Sequence, residues 1–111
     1  MTIEKVKEKM ITDYESPAWK LVERIVNEMN KRGIEPDGIA YSYDSRKPLG
    51  TRLIVVEPVY RHNGTSENVS AKIVIQEEVK YGIMQIAQIK VPGGASDKVI
   101  NNRIDKALAY K

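Results

Sequence analysis

The stretch VSAKIVIQEEVKYGIMQIAQIKV, residues 69–91, decides the fold class. Its first half alternates. Val69, Ala71, Ile73 and Ile75 fall on one side, and Ser70, Lys72 and Gln76 on the other, which is the period of two expected of a strand. Tyr81-Gly82 interrupts the pattern as a turn. Ile83–Val91 resumes it, so the stretch reads as two strands joined by a tight hairpin, Val69–Glu78 and Ile83–Val91.

Upstream, Thr51–Arg61 is rich in β-branched residues and reads as another strand. Pro58 within it has no N–H for a ladder, which places that end at an edge or a bulge. Asn63-Gly64 is a strong hairpin-turn dipeptide. Ile39, Tyr41 and Tyr43 alternate with Ala40 and Ser42 as a shorter first strand after the Glu35-Pro36-Asp37-Gly38 turn.

Helical spacing flanks this block on both sides. Ser16 and Pro17 suit a cap and a first helical position, and Ala18, Leu21, Val22, Ile25, Val26 and Met29 form an apolar stripe that ends at Gly33. The spacing predicts a helix over about Pro17–Arg32. After Pro92-Gly93-Gly94, Ser96 caps a second helix over about Asp97–Tyr110, with Ile100, Ile104, Ala107 and Leu108 on its apolar side. Residues 1–14 read as a charged lead-in in which Ile3, Val6 and Met10 keep a short amphipathic spacing.

The order is α-β-β-β-β-α within a single α+β domain over residues 1–111. Short turns favour a four-stranded antiparallel meander flanked by the N- and C-terminal helices, a two-layer sandwich.

The chain has 111 residues, with no Cys and no Phe, a single His (His62), a single Trp (Trp19) and six Tyr. Thiol catalysis, disulfide frameworks, Cys-ligated zinc and iron–sulfur clusters are excluded. His62 has no second His or Cys to work with, and no enzyme signature is present. Pro36-Asp37 with Glu78-Val79-Lys80 faintly matches a metal-nuclease pattern, but Asp37 sits in a turn and Glu78 at a strand end. Gly93-Gly94 before the last helix lacks the Lys of a phosphate loop and reads as a plain turn. The reading is non-enzymatic, with no cofactor and no metal. Met1–Met10 is rich in Lys and Glu without an apolar h-region, and no apolar run approaches the length of a membrane span. The expectation is a cytoplasmic protein with no membrane partner. A net charge of +3 permits a polyanion partner without demanding one.

One feature departs from a helix-covered antiparallel sheet, whose outer face is normally polar. The 51–61 strand is apolar on both faces, and so is the 83–91 strand. Two helices cover one face, so Ile54, Val56, Tyr60, Val74, Met84 and Ile86 form a candidate uncovered apolar patch. Its occupant is a second copy, the N-terminal segment or a helix folded over it, or a single-stranded nucleic acid whose bases lie on the face. Ile54, Val56, Val74, Met84 and Ile86 are the corresponding interface candidates.

Tyr41 and Tyr43 precede a basic loop containing Arg46 and Lys47, with Arg52 beyond it. Exposed tyrosines stack bases while Lys and Arg hold phosphates. The candidate contacts are Tyr41, Tyr43, Arg46, Lys47, Arg52, Tyr60, Arg61, Lys72 and Lys90. The order of elements resembles the layout of archaeal single-strand binders of the ThermoDBP type, which use an apolar cleft with basic edges on a four-stranded sheet; no motif aligns. The function expected is a small module for single-stranded DNA or RNA. The alternative is a homodimer with the same apolar face as its core.

Overall fold

The computed structural model describes residues 17–40, 42–43, 47–59 and 70–110, with backbone only at 42 and 43. It contains helix α1 (Pro17–Lys31), strands β1 (Gly38–Ile39), β2 (Ser42–Tyr43), β3 (Arg52–Val59), β4 (Ser70–Val79) and β5 (Gly82–Pro92), and helix α2 (Asp97–Leu108). The chain is therefore α+β. The lead-in 1–14, the Ser16 cap and the Asn63-Gly64 turn lie outside the described residues.

Helix α1 forms where the apolar stripe runs. Ala18, Trp19, Leu21, Val22, Ile25, Val26 and Met29 are all buried. It ends at Gly33, whose φ of 72° suits a residue without Cβ. The Ile34 N–H reaches back to the Met29 carbonyl at 2.9 Å, the Schellman closure of a helix end. Helix α2 starts at Ser96, whose hydroxyl accepts from the Val99 N–H at 3.3 Å.

The sheet is five-stranded in the order β2-β1-β3-β4-β5. Strands β3, β4 and β5 form the expected antiparallel meander. The sheet as a whole is mixed, because β1 runs parallel to β3, with Gly38 opposite Val55 and Ile39 opposite Val56. The single first strand expected over 39–43 is instead two short strands folded on each other, Gly38 opposite Tyr43 and Ile39 opposite Ser42. Ala40 between them has φ 53°, which no extended strand accommodates.

Asp37 explains the parallel docking. Its backbone N–H donates to the Ile54 carbonyl at 2.8 Å, and its carboxylate accepts from the Ile54 N–H at 2.8 Å. The buried carboxylate thus satisfies a β3 backbone donor that β1 does not reach. Because β1 pairs only at Val55 and Val56, no described strand lies beside Pro58 on that side, and its missing N–H leaves no gap in a ladder there.

The register of β3 against β4 decides which side chains are covered. Ile54 faces Ile75 and Val56 faces Ile73. These four join Ala71, Ile89 and Val91 with the apolar stripes of both helices in one core. A fully buried Ile side chain contributes about 1.5–3 kcal/mol, so this cluster holds the two layers together. Ile54 and Val56 are thus core residues and not part of an uncovered patch. Ile86, at the irregular register between Ile75 and Gln76, also packs against this core. The other face carries Leu53, Val55 and Val74, and these are only 1–2% exposed within the single chain. The expected open apolar platform is therefore not open at its centre.

Polar contacts join the helices along their outer seam. Arg24 pairs with Asp97 at 2.9 Å, Arg32 pairs with Asp105, and the Asn101 amide donates to Glu28 at 3.0 Å. The Glu28 carboxyl is held below its ordinary value, first by Asn101 and then by the Lys31 ammonium, with partial desolvation acting against them.

Candidate nucleic-acid interface

Two turns and one helix set the geometry beside β5. Pro92-Gly93-Gly94-Ala95 reverses the chain, with the Ala95 N–H on the Pro92 carbonyl at 3.2 Å and Gly94 at φ 77°. This is a type II turn, which requires a positive φ at its third residue. It sends α2 back alongside β5. Because α2 buries Ile100, Ile104 and Ala107, the positions one before Ile104 and one before Ala107 fall beside the strand edge. These are Arg103 and Lys106.

The result is an open groove of about 680 Å³ between β5 and α2, lined chiefly by Gln88, Lys90, Arg103, Lys106 and Tyr110. Arg103 is fixed in it, since its Nε donates to the Lys90 carbonyl at 3.2 Å. Tyr110 is 43% exposed and supplies an aromatic surface at one end. Lys90 and Lys106 form no ion pair among the described residues. Around the strand, on the face away from the helices, a second pocket of about 250 Å³ is lined by Val59, Ser70, Lys72, Gln88 and Lys90. Gln88 and Lys90 belong to both hollows, so they form one basic strip wrapped around the β5 edge.

The residues expected from the sequence divide into three groups. Lys72 and Lys90 lie together on the strip, Lys72 also pairing with Glu57 at 3.5 Å. Lys47 and Arg52 are engaged in holding the fold. Lys47 pairs with the buried Asp37 carboxylate, while Arg52 bonds Glu77 at 3.1 Å and donates to the Tyr110 carbonyl near the end of α2. A cation at a helix C-terminus is favourable against the helix dipole. Tyr41, Arg46, Tyr60, Arg61 and the Tyr43 side chain lie outside the described residues. Of the interface candidates, Val74 is buried on the far face, and Met84 is exposed near the β4–β5 turn.

Arg103, Lys106 and Tyr110 are absent from the sequence-based set of contacts, whereas Gln88 is expected there beside Arg52, Lys72 and Lys90 at the rim of the apolar patch. Arg103 and Lys106 both lie on the second helix, where only the apolar side is assigned from the sequence. The usable signal is their three-residue spacing, which keeps both on one helix face next to an apolar stripe. Among the described residues no cluster of three or more His, Asp or Glu side chains suited to a metal ion is present, and Asp37 is committed to Ile54 and Lys47. No described helix is long and apolar enough to cross a membrane.

Compared with protein-family models, with curated proteins and with solved structures, the chain matches none of them.

Proposed function

We propose that this protein is a non-enzymatic module that binds single-stranded nucleic acid along the basic strip around β5. The observation that carries the reading is the convergence of Lys90, Arg103 and Lys106 with the exposed Tyr110 on one groove that continues into the Lys72 pocket. Cations spaced along a strip neutralise successive phosphates, and an aromatic ring at its end accepts a base. Gln88 supports the reading as a neutral hydrogen-bonding group shared by both hollows. A strip that bends around a strand edge suits a flexible single strand better than a stiff duplex.

This reading replaces the sheet face with the sheet edge. Bases have no apolar platform at Leu53, Val55 and Val74, because these side chains are buried within one chain. The same burial removes the support for a homodimer closed through that face.

Fluorescence anisotropy with labelled single-stranded and double-stranded oligonucleotides tests the proposal at two salt concentrations. Binding to the single strand that weakens as salt rises is the expected result. Equal or stronger binding to the duplex contradicts the single-strand preference, and no salt-sensitive binding to either removes the function.

A further inference from the structure

The other half of β5 has a different character. β3 ends its pairing with Arg52 opposite Glu77, whereas β4 and β5 continue to the Val79–Gly82 pair. The hairpin therefore overhangs the rest of the sheet. Beside the charged Glu78 and Lys80, it exposes large apolar or aromatic side chains: Val79 39%, Tyr81 90%, Ile83 60% and Met84 46%. Leu49 adds to this end of the molecule at 63%, its turn held to β4 by the Gly50 N–H on the Glu78 carbonyl at 3.0 Å.

Among the described residues the strand is an open edge. β5 is the last strand of the sheet, and no described strand pairs with its outer side. Edge strands are commonly guarded by charged side chains, by proline, by a β-bulge or by being short. β5 runs for 11 residues and carries one charged side chain, Lys90, and one proline, Pro92, both at the α2 end. Arg103 occupies the Lys90 carbonyl at that same end. Among the described residues Gly82–Ala87 has no charge and no proline, and the one irregularity in it is the bulge at Ile86.

We propose that Gly82–Ala87 is the site at which a second copy of this chain adds to the sheet, as an antiparallel β5–β5 pair that continues the sheet across a two-fold axis. Three observations select a second copy. Every antiparallel register within Gly82–Ala87 sets uncharged residues against uncharged residues, so two copies meet without like-charge repulsion. Among the described residues the sheet has one long edge, β5, while β2 at the opposite end pairs over two residues. A long edge matched only by itself gives a closed isologous dimer instead of an open filament. Third, the exposed Ile83 and Met84 lie within the pairing segment and lose water contact on pairing, which adds apolar burial to the new backbone hydrogen bonds.

The pairing leaves the basic strip free, because the strip begins at Gln88. Self-association is thus independent of nucleic-acid binding, and either can stand without the other. If both hold, two strips lie on one continuous sheet, and an oligonucleotide long enough to reach both gains avidity.

Sedimentation velocity of the full chain from about 10 to about 200 μM tests the proposal. The expected result is a monomer–dimer equilibrium that Ile83→Lys and Met84→Lys each weaken by about tenfold or more, with Lys106→Gln unchanged. Far-ultraviolet circular dichroism checks that each variant is folded. Hydrogen exchange on the unmodified chain gives a readout that needs no variant. Amides within Gly82–Ala87 become more protected as protein concentration rises, while those of α1 do not. A monomer throughout the concentration range overturns the proposal. So does a dimer that both Lys variants leave intact, or one whose formation leaves Gly82–Ala87 exchange unchanged.

Discussion

The two sides of the sheet's outer half make opposite use of similar residues. Under the helices, Ile73, Ile75, Ile89 and Val91 are sunk in a continuous core shared with α1 and α2. At the β5 edge, the same strand presents Gln88 and Lys90 to solvent, beside Arg103 and Lys106 from α2. The first region holds the layers together and has no free polar group to offer a ligand. The second contributes little to packing and gathers cations without ion-pair partners among the described residues. Core packing and exposed cations thus fall to neighbouring residues of β5, separated by the alternation of its side chains. Substitutions should separate accordingly.

The largest effect belongs to the core. Ile73→Ala removes a side chain that faces Val56 and Ile89 with no exposure, and about 2–5 kcal/mol of stability should be lost in urea denaturation. Retention of nearly full stability would mean that the core can close around the loss and that the two regions differ less than the packing implies. Asp37→Ala comes next. It leaves the Ile54 N–H without its acceptor and Lys47 without its counter-ion, and a loss of about 1–3 kcal/mol is expected. Because Asp37 docks β1 on β3, hydrogen exchange should also rise at Ile39 and Ala40 before it rises in β4.

Ser96→Ala tests the element that brings the cations to the edge. The Val99 N–H loses its cap, and the melting midpoint should fall by an amount corresponding to about 1 kcal/mol. Fraying of the first turn of α2 leaves Lys106 in place, so oligonucleotide affinity should be unaffected. The smallest effect lies in the helix seam. Glu28 has its carboxyl lowered below the ordinary glutamate value by Asn101 and then Lys31. Its contribution is therefore fully present above the unfolded value and is lost as pH falls through the lowered folded value. Urea midpoints measured from about pH 6 to about pH 3 should decline on acidification, and Glu28→Gln should make that decline shallower.

Much of this architecture is legible in the sequence, because its periodicities are unambiguous where one face is apolar. α1 shows a single stripe bounded by Pro17 and Gly33, and β4 alternates except at Val74. β3 is where periodicity loses its force. Leu53, Ile54, Val55 and Val56 are consecutive and apolar, so alternation alone leaves open which pair faces the helices. The β4 register settles it, and register is a tertiary property. The first strand is hidden for a different reason. Ala40 carries no sign of a positive φ, and the parallel docking follows from a carboxylate bond to Ile54 that lies 17 residues away. The cations of α2 were legible as residues but not as a site, because their meaning depends on a turn that lays α2 along β5.

The central claim is that the β5–α2 strip holds a nucleic-acid backbone. It is tested most directly by the salt dependence of single-strand affinity for the unmodified chain and for the Lys90→Gln/Lys106→Gln double variant. Removing two phosphate contacts should reduce the magnitude of the slope of log affinity against log salt by roughly 1.4, at about 0.7 per contact on a single strand. The melting temperature should stay unchanged, since both side chains are exposed. An unchanged slope and affinity in a folded double variant would contradict the account and place any nucleic-acid site elsewhere on the molecule.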